Sequence, residues 1–449
     1  MTLLQWWKDF TNKGLTQGTY AYIGQGRLKG HRFHLRVDGE QKGVLMVDAA
    51  KLLFVNGTAL DYIRCILEQR GEKKAVKYMR NRYRKLSPSK ALADLKKVTH
   101  ELEDFLAGNT DVVASLGPTT PTVAADKLPA PYRMDLALTY KCQNECKHCY
   151  NETKDKKELS LASWKAVLDK LWKIGIPHVV FTGGEPTLSP HLRTLIAHAQ
   201  ALGQVTGLIS NGRNLRKKGY LGDLVAAGLD HVQITILAHR ESVHDKLTGI
   251  PGSWKDTVDG IKLALKEQLY VSTNTTILPA NVDDIEDTLK FVMSLGVKNI
   301  AFNAIIRSGK GKEGKGIEAT RICTIVDRLK AMADAENRNL IWYAPTPYCE
   351  FNPVNHGLGI RQCTACSINM AIEPDGTVIP CQSCYEPLGN ILVDDWHRIW
   401  NHKLCKEFRE RGYLPDKCKK CDMLNLCGGG CPLSIKHGDY LCIDRHSNA

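Results

Sequence analysis

The sequence predicts an α/β protein in three parts: a small α+β domain, a partial (β/α)6 barrel, and a cysteine-rich C-terminal domain folded around metal. Between residues 133 and 307, apolar runs of strand length alternate with helical patterns, as in consecutive βαβ units. A Pro-, Thr- and Ala-rich stretch over residues 111–131 precedes this region. Most of the 16 cysteines lie between residues 349 and 442, where regular periodicity fades.

A chain of 449 residues exceeds the ~250–300 residues that a single core usually organises, so several domains are expected. The boundaries fall where composition changes. We expect an N-terminal domain over residues 1–112, a linker over 113–131, the barrel over 132–342 and the cysteine-rich domain over 343–449.

Composition limits the location and the partners. No stretch approaches the ~20 apolar residues that cross a bilayer, and the N-terminus lacks a basic region followed by an apolar run, so we expect a cytoplasmic protein without a membrane partner. Because a cytosol keeps thiols reduced, dense cysteine there indicates metal or catalysis. The net charge of +13 suits an acidic peptide or an acidic electron-transfer protein. Without an Arg-rich tract carrying interleaved aromatics, we expect no nucleic-acid partner.

The N-terminal domain opens with a predicted hairpin. Residues 32–37 alternate in polarity, 38–40 form a turn signal, and 43–47 supply the returning strand. Helices are predicted over 57–70, 73–84 and 91–105. In the last helix one face is apolar, through Leu92, Leu95, Val98, Leu102 and Phe105.

This order of strands and helices, with the segment LLFVNGTALDYIRCILE at its centre, resembles the small winged-helix domains that recognise leader peptides of ribosomally made precursors. The PqqD-like domains of pyrroloquinoline quinone biosynthesis are examples. The resemblance covers residues 18–108 and implies that a leader binds as an added strand on a sheet edge. The alternative is a packing domain without a ligand.

Six strands are predicted for the partial barrel, whose chemistry should lie at the C-terminal ends of the strands. They are residues 134–139, 178–182, 205–210, 231–237, 270–277 and 299–306.

Directly after the first barrel strand come Cys142, Cys146 and Cys149. Three thiolates at this spacing can enclose a four-iron cluster in one loop and leave one iron open. The pattern C-x3-C-x2-C followed by an aromatic resembles the radical S-adenosylmethionine (SAM) superfamily, in which the amino and carboxylate groups of SAM occupy the open iron. A zinc loop or a ferredoxin-like site would need a fourth ligand, and His148 lies inside the loop.

The same resemblance assigns cofactor contacts at strand ends. Gly183-Gly184-Glu185-Pro186 follows the second strand, as does the family's glycine-rich element, which lies along the methionine amino group of SAM. Glycines allow such close backbone approach. Polar residues at the ends of the third, fourth and fifth strands would reach ribose and carboxylate, although each also suits a cap or turn. These residues are Ser210, Asn211, Thr235 and Asn274.

The C-terminal cysteines resemble the SPASM extension of radical SAM enzymes, which holds two auxiliary four-iron clusters. The resemblance implies one cluster on Cys418, Cys421, Cys427 and Cys442, and another on Cys363, Cys366, Cys381 and Cys431. Cys349 and Cys384 are rivals of Cys363 for the fourth position. A turn at Asp375-Gly376 would deliver Cys381 to its cluster. Zinc remains the alternative metal, because zinc ribbons use similar C-x2-C pairs.

One departure from the family bears on the substrate. Sulfatase-maturating relatives carry an acidic residue directly after the cysteine that matches Cys381, and this chain has Gln382 there. This difference argues against sulfatase maturation as the function of this chain.

The resemblance implies a radical SAM oxidoreductase that forms a 5'-deoxyadenosyl radical. The basic net charge is compatible with an acidic flavodoxin or ferredoxin as the reductant. Since the cofactor supplies the hard chemical step, no acid–base residue needs to be conspicuous, and no catalytic side chain is assigned. Together with a leader-binding domain, the auxiliary clusters favour crosslinking or oxidation of side chains in a ribosomally synthesised precursor peptide. The alternatives are tetrapyrrole or other cofactor biosynthesis, and a non-catalytic metal scaffold or peptide chaperone.

Overall fold

The computed structural model describes residues 15–38, 42–48, 51–107, 128–152, 155–267 and 269–436. Most of the predicted linker lies outside these residues. The chain forms two compact units: unit 1 extends to Ala130 and includes Lys170–Pro177, and unit 2 contains the remainder. Among the described residues, no helix combines the length and apolar character needed to cross a membrane.

Unit 1 contains a four-stranded antiparallel sheet with the order β1-β2-β3-β4. The predicted hairpin is confirmed, and its strands β2 and β3 pair with Phe33 opposite Val47. The two outer strands were not predicted. The bounds are β1 Gly18–Ile23, β2 Arg32–Asp38, β3 Lys42–Val47 and β4 Lys51–Val55.

Three helices follow the sheet, as predicted: α1 Gly57–Leu67, α2 Glu72–Arg82 and α3 Pro88–Ala107. Helix α1 begins after Asn56, whose side chain accepts a hydrogen bond from the Ala59 amide. It ends three residues before the predicted Arg70, because Gln69 adopts a left-handed conformation. The core joins sheet residues such as Phe33 and Leu45 to Ile63 and Leu102 from the helices.

Unit 2 is built on a parallel sheet, and the six predicted barrel strands are confirmed. They are β5 Arg133–Thr139, β6 His178–Gly183, β7 Val205–Ser210, β8 His231–Thr235, β9 Tyr270–Thr276 and β10 Asn299–Asn303. A seventh parallel strand, β11 Asn339–Trp342, extends the sheet beyond β10. The accompanying helices are α4 Leu161–Ile174, α5 Leu192–Leu202, α6 Tyr220–Ala226, α7 Glu241–Thr248, α8 Ser253–Ala264, α9 Ile285–Ser294 and α10 Ala319–Ala335.

The cysteine-rich segment continues the barrel sheet, which its sequence did not predict. Strand β12 Asn369–Ile372 pairs in parallel with β5, with Met370 opposite Met134. Strands β13 Thr377–Ile379 and β14 Gly389–Asn390 follow, giving ten strands in all in this sheet as described. Short helices complete the segment: α11 Trp396–Trp400, α12 Lys403–Glu410, α13 Asp416–Lys419, α14 Leu424–Cys427 and α15 Pro432–Lys436.

A buried ionic network fastens the barrel to this C-terminal hairpin. Glu373, 1% exposed, follows β12 and accepts hydrogen bonds from the Tyr140 hydroxyl (3.0 Å) and the Lys156 ammonium (2.7 Å). Lys156 also donates to Asp375 at 2.9 Å. Since a buried charge that loses its partner is costly, the network specifies how β12 meets the barrel.

We predict that Glu373→Gln lowers the free energy of unfolding by about 1–3 kcal/mol, because a Lys156 charge held largely out of water loses its closest partner. Asp287→Asn is the matched control, since its Lys290 partner is exposed and the pair should contribute nothing measurable. Anaerobic denaturant unfolding of both variants measures the difference. Equal stability of the two variants would contradict the assigned role.

Candidate functional site

The loop carrying Cys142, Cys146 and Cys149 begins just past the C-terminal end of β5 and is anchored at both sides. The Glu145 amide donates to the Thr248 carbonyl (2.8 Å) at the end of α7. On the other side, the Gly311 amide donates to the Cys149 carbonyl (3.3 Å). The loop is therefore positioned by backbone hydrogen bonds before any ligand binds.

The three thiols of this loop are electrostatic neighbours of one another. Burial raises the pKa of all three, that of Cys146 to about 12. Backbone amides oppose this effect, since Asn144 donates to the Cys142 sulfur at 3.3 Å and Asn151 donates to the Cys149 sulfur. Neighbouring thiols with amide donors suit thiolates bound to iron, whose positive charge displaces the protons.

Arg213, which sequence reasoning missed, braces the loop from outside. Its guanidinium donates to the Gln143 carbonyl (3.0 Å) and to the Asn144 side chain (2.8 Å). It also pairs with Asp256 on α8 at 3.1 Å. Its place directly after Ser210-Asn211-Gly212 is the one signal for it in the sequence.

Gly183 and Gly184 allow the end of β6 to lie directly on the backbone that leads into the cysteine loop. A Cβ atom on Gly183 would meet the Thr139 carbonyl oxygen at 2.2 Å, and one on Gly184 would meet that of Lys141 at 2.3 Å. The Gly184 amide donates to the Thr139 carbonyl at 2.8 Å. The glycines therefore serve packing on β5 as well as any approach of a ligand.

Glu185 joins the ends of β6 and β7 through a fully buried carboxylate. It accepts hydrogen bonds from the Ser210 hydroxyl (2.9 Å), the Asn211 amide (2.8 Å), and the Thr187 amide (3.1 Å) and hydroxyl (2.6 Å). Burial raises its pKa, and these donors oppose the shift. Because the Glu185 carboxylate accepts four hydrogen bonds, it holds Thr187, Ser210 and Asn211 in position.

Asn211 faces the first cysteine of the loop. Its amide nitrogen lies 3.9 Å from the Cys142 sulfur, and its amide oxygen accepts from the Gln143 side chain at 3.4 Å and from the Arg213 backbone at 3.0 Å. The structure thus brings the third strand end to the cluster loop.

Thr235 and Asn274 are paired in register at the ends of β8 and β9. The Asn274 side-chain oxygen is buried and has no hydrogen-bond partner within the described part of the chain. A buried acceptor without a donor is costly. A polar ligand such as the SAM ribose or ammonium would satisfy it, so these residues fit the cofactor implied by the sequence.

The C-terminal cysteines form two groups. In the first, the Cys421 amide donates to the Cys418 carbonyl at 3.1 Å, and the Tyr348 amide donates to the Cys427 sulfur at 3.2 Å. Cys427 and Cys421 are the electrostatic neighbours of Cys418. Cys442, expected in this group, lies outside the described residues.

The second group brings Cys363, Cys381 and Cys431 together, and Cys384 joins them. Cys366, expected here as well, has its sulfur 2.8 Å from that of Cys405 on α12.

Within the described ranges, no three cysteine, histidine or carboxylate side chains converge as the ligands of a single metal ion would. Ligands of a four-iron cluster bind separate irons and need not meet at one point. The described residues therefore do not offer a tetrahedral zinc site.

A hydrogen-bonded chain connects the second group to the cysteine loop. Tyr385, next to Cys384, donates its hydroxyl to the Asn151 side chain at 3.1 Å. The Asn151 amide donates in turn to the Gly183 carbonyl at 2.6 Å. Beside them, the Gln382 side-chain oxygen is buried without a hydrogen-bond partner among the described residues. None of these contacts had a signal in the sequence.

We predict that Gly184→Ala abolishes assembly of the cluster on Cys142, Cys146 and Cys149, lowering iron by about four atoms per chain. The added methyl group would collide with rigid backbone at Lys141. Gly222→Ala on α6 is the matched control, because its nearest neighbour would be the Glu267 side chain at 3.9 Å. Iron is counted after anaerobic reconstitution. Full iron in Gly184→Ala would contradict the assigned packing.

We predict that Arg213→Met speeds removal of iron from this loop by a chelator about tenfold, since a charged hydrogen bond contributes about 1.5 kcal/mol. Arg216→Met is the control, because Arg216 pairs with the same Asp256 but is half exposed. The electron paramagnetic resonance (EPR) signal that responds to SAM reports the loop's cluster. Equal rates of iron removal from the two variants would show that Arg213 does not hold the cysteine loop in place.

Comparisons with known proteins agree with this geometry. Residues 136–292 match the radical SAM superfamily, and residues 341–422 match the SPASM iron-sulfur cluster-binding domain. A PqqA peptide cyclase from Ruegeria pomeroyi is 25% identical over 319 residues, covering 68% of this chain and 83% of that protein.

Solved structures share the fold. Streptococcus suis SuiB bound to its precursor peptide SuiA has a TM-score of 0.67 at 15% identity, covering 93% of this chain and 97% of SuiB. The protein anSMEcpe with bound AdoMet and a Kp18Cys peptide has a TM-score of 0.55 at 17% identity, covering 67% of this chain and 89% of that one. With four-iron clusters and SAM as its cofactors, the chain is a radical SAM enzyme that carries a C-terminal SPASM domain.

Proposed function

We propose that this enzyme crosslinks or oxidises side chains of a ribosomally synthesised precursor peptide. The observation that carries the proposal is the Tyr385–Asn151–Gly183 chain, because it joins the second cysteine group directly to the glycine loop beside the radical site. A cluster held there is placed to accept the electron that an oxidised substrate must release. The two peptide-processing relatives named above support the same substrate class.

When bound, SAM and the reduced cluster supply a 5'-deoxyadenosyl radical that removes an unactivated hydrogen atom. Cys142, Cys146 and Cys149 hold that cluster and leave one iron to the cofactor. Gly183 and Gly184 present backbone to its methionine end, while Ser210, Asn211, Thr235 and Asn274 contact its polar groups. Glu185 and Pro186 keep that glycine loop in place.

Unit 1 is the leader-binding domain in this proposal. Its sheet, as described, has β1 and β4 at the edges, and an extended peptide adds to such an edge through backbone hydrogen bonds. Ile23 on β1 is 73% exposed, so an apolar leader side chain has a surface to cover. The proposal keeps the domain boundaries expected from the sequence. They are residues 1–112 for the N-terminal domain, 113–131 for the linker, 132–342 for the barrel and 343–449 for the auxiliary-cluster domain.

Two auxiliary clusters belong to the proposal. Cys418, Cys421 and Cys427 hold one of them, with Cys442 as the expected fourth ligand. The other is held by the second cysteine group, which includes Cys363, Cys381 and Cys431.

Gln382 supports oxidation at sites other than the serine or cysteine of a sulfatase. The acidic residue of sulfatase-maturating relatives would serve as a base, and an amide cannot take up a proton at neutral pH. Its buried, unpaired oxygen suits a hydrogen bond from a peptide amide. We therefore place Gln382 against the substrate backbone.

The net charge of +13 suits an acidic flavodoxin or ferredoxin as the reductant, without nucleic acid as a partner. Thiolate ligands require a reducing compartment, so we place the enzyme in the cytoplasm. Cofactor biosynthesis, including tetrapyrrole chemistry, has no specific observation in its favour.

We predict that a short peptide encoded beside the gene, deuterated at its modified residue, transfers deuterium to 5'-deoxyadenosine and loses about three mass units for each bond formed, one deuterium and one hydrogen. The reaction contains reconstituted enzyme, SAM and dithionite. The leader-truncated peptide and the Cys142→Ala, Cys146→Ala, Cys149→Ala triple variant are the controls, and both should show no transfer. Formation of 5'-deoxyadenosine without any peptide change would favour cofactor biosynthesis, and none at all would favour a scaffold.

A further inference from the structure

The cysteines that hold the second auxiliary cluster follow from which sulfur atoms face one another and which receive backbone donors. Apart from Cys418, Cys421 and Cys427 of the first group, six free thiols lie between residues 363 and 431: Cys363, Cys366, Cys381, Cys384, Cys405 and Cys431. A fully ligated four-iron cluster takes four cysteines, so two of these six are surplus.

Cys381 and Cys384 occupy one tight turn. The Cys384 amide donates to the Cys381 carbonyl at 3.1 Å, and the two residues form an isolated antiparallel bridge. Cys384 is 3% exposed. Cys384, Cys363 and Cys431 are electrostatic neighbours of the Cys381 thiol.

Cys363 is held beside α14 by its neighbour Gln362. The Gln362 amide donates to the Asn425 and Leu426 carbonyls at 2.6 and 2.7 Å, which fixes it at the end of α14. Arg411 holds the same side chain from the other side at 3.1 Å. Cys431 lies four residues beyond α14, and it is an electrostatic neighbour of Cys363.

Each of these four sulfurs accepts a backbone N–H from two or three residues further on. The donors are Ala365 for Cys363, Ser383 for Cys381, Glu386 for Cys384, and Leu433 and Ser434 for Cys431. The same pattern occurs in the SAM-cluster loop, where Asn144 donates to Cys142 and Asn151 to Cys149. Amide donors stabilise thiolates and tune the potentials of iron–sulfur clusters.

Cys366 lacks that environment in the described structure. Its sulfur is hydrogen-bonded to that of Cys405 at 2.8 Å, and both residues are fully buried. Its backbone is left-handed at φ 56°, and Arg409 holds its carbonyl at 2.9 Å. Cys381 is also an electrostatic neighbour of Cys366. Sulfurs in direct contact cannot serve separate corners of a cubane.

We propose that Cys363, Cys381, Cys384 and Cys431 ligate this auxiliary cluster, and that Cys366 and Cys405 form a thiol pair that binds no iron. The inference rests on the proposed function only in requiring an auxiliary cluster. It replaces Cys366 of the sequence pattern by Cys384, which the Cys381 turn carries to the cluster. Cys366 matches the family spacing but faces helix α12.

Iron counting and EPR of anaerobically reconstituted full-length protein test the inference without any peptide. Wild type should hold about twelve irons in three clusters. Cys384→Ser should lose about four irons or shift one auxiliary EPR signal, because an oxygen ligand replaces sulfur. Cys366→Ser should match wild type in both measurements. A change in Cys366→Ser, or no change in Cys384→Ser, would overturn the ligand set.

A second variant keeps the test decisive if Cys384→Ser fails to fold. Cys366→Ala combined with Cys405→Ala removes the thiol pair and should retain about twelve irons with an unchanged EPR spectrum. Loss of about four irons from this variant would overturn the inference. Wild type with about four irons would also overturn it, together with the auxiliary clusters. Full iron without peptide modification would overturn the peptide substrate alone and leave the ligand set standing.

Discussion

Direct contact between two backbone segments governs the site: the end of β6 at Gly183-Gly184 and the stretch from Thr139 to Lys141 that leads into the cysteine loop. No side chain fits between them, since a Cβ on either glycine would lie 2.2–2.3 Å from a carbonyl oxygen. The contact fixes where Cys142 begins relative to the second strand. Rigid support of this kind is what a reactive radical requires, because misplacement by about 1 Å costs rate and admits side reactions.

Glu185 extends that contact to the third strand. Its buried carboxylate gathers four donors, two of them from the Ser210-Asn211 corner, and Asn211 in turn faces the Cys142 sulfur. Charge burial is costly, and the donors offset it. Arg213 completes the arrangement by holding the loop from its outer side. Cluster loop, glycine loop and third strand end thus form one hydrogen-bonded unit, and Asn151 and Tyr385 attach the auxiliary-cluster segment to it.

The sequence predicted what depends on local pattern. The six parallel strands followed from alternating periodicity, and the cysteine loop followed from spacing. Pairing between distant segments had no local signal, so β12 beside β5 and the outer strands β1 and β4 were missed. The same limit applies to side chains: the sequence placed Glu185 near the cofactor but gave no signal that its carboxylate also accepts hydrogen bonds from the end of the third strand. Arg213, Asn151 and Tyr385 belong to no spacing pattern. Their hydrogen bonds join residues that are far apart in the sequence and meet only in the folded chain. Spacing likewise favoured Cys366, whose side chain the fold directs to Cys405.

The chemistry of the site depends on a three-cysteine loop that would leave one iron for the amino and carboxylate groups of SAM. Electron–nuclear double resonance on the dithionite-reduced enzyme tests it directly, with SAM labelled by 15N at the amino group and 17O at the carboxylate. We expect hyperfine coupling of both labels to one cluster, and no coupling when Cys142, Cys146 and Cys149 are replaced by alanine. A reduced cluster on these cysteines that shows no coupling to either label would contradict it.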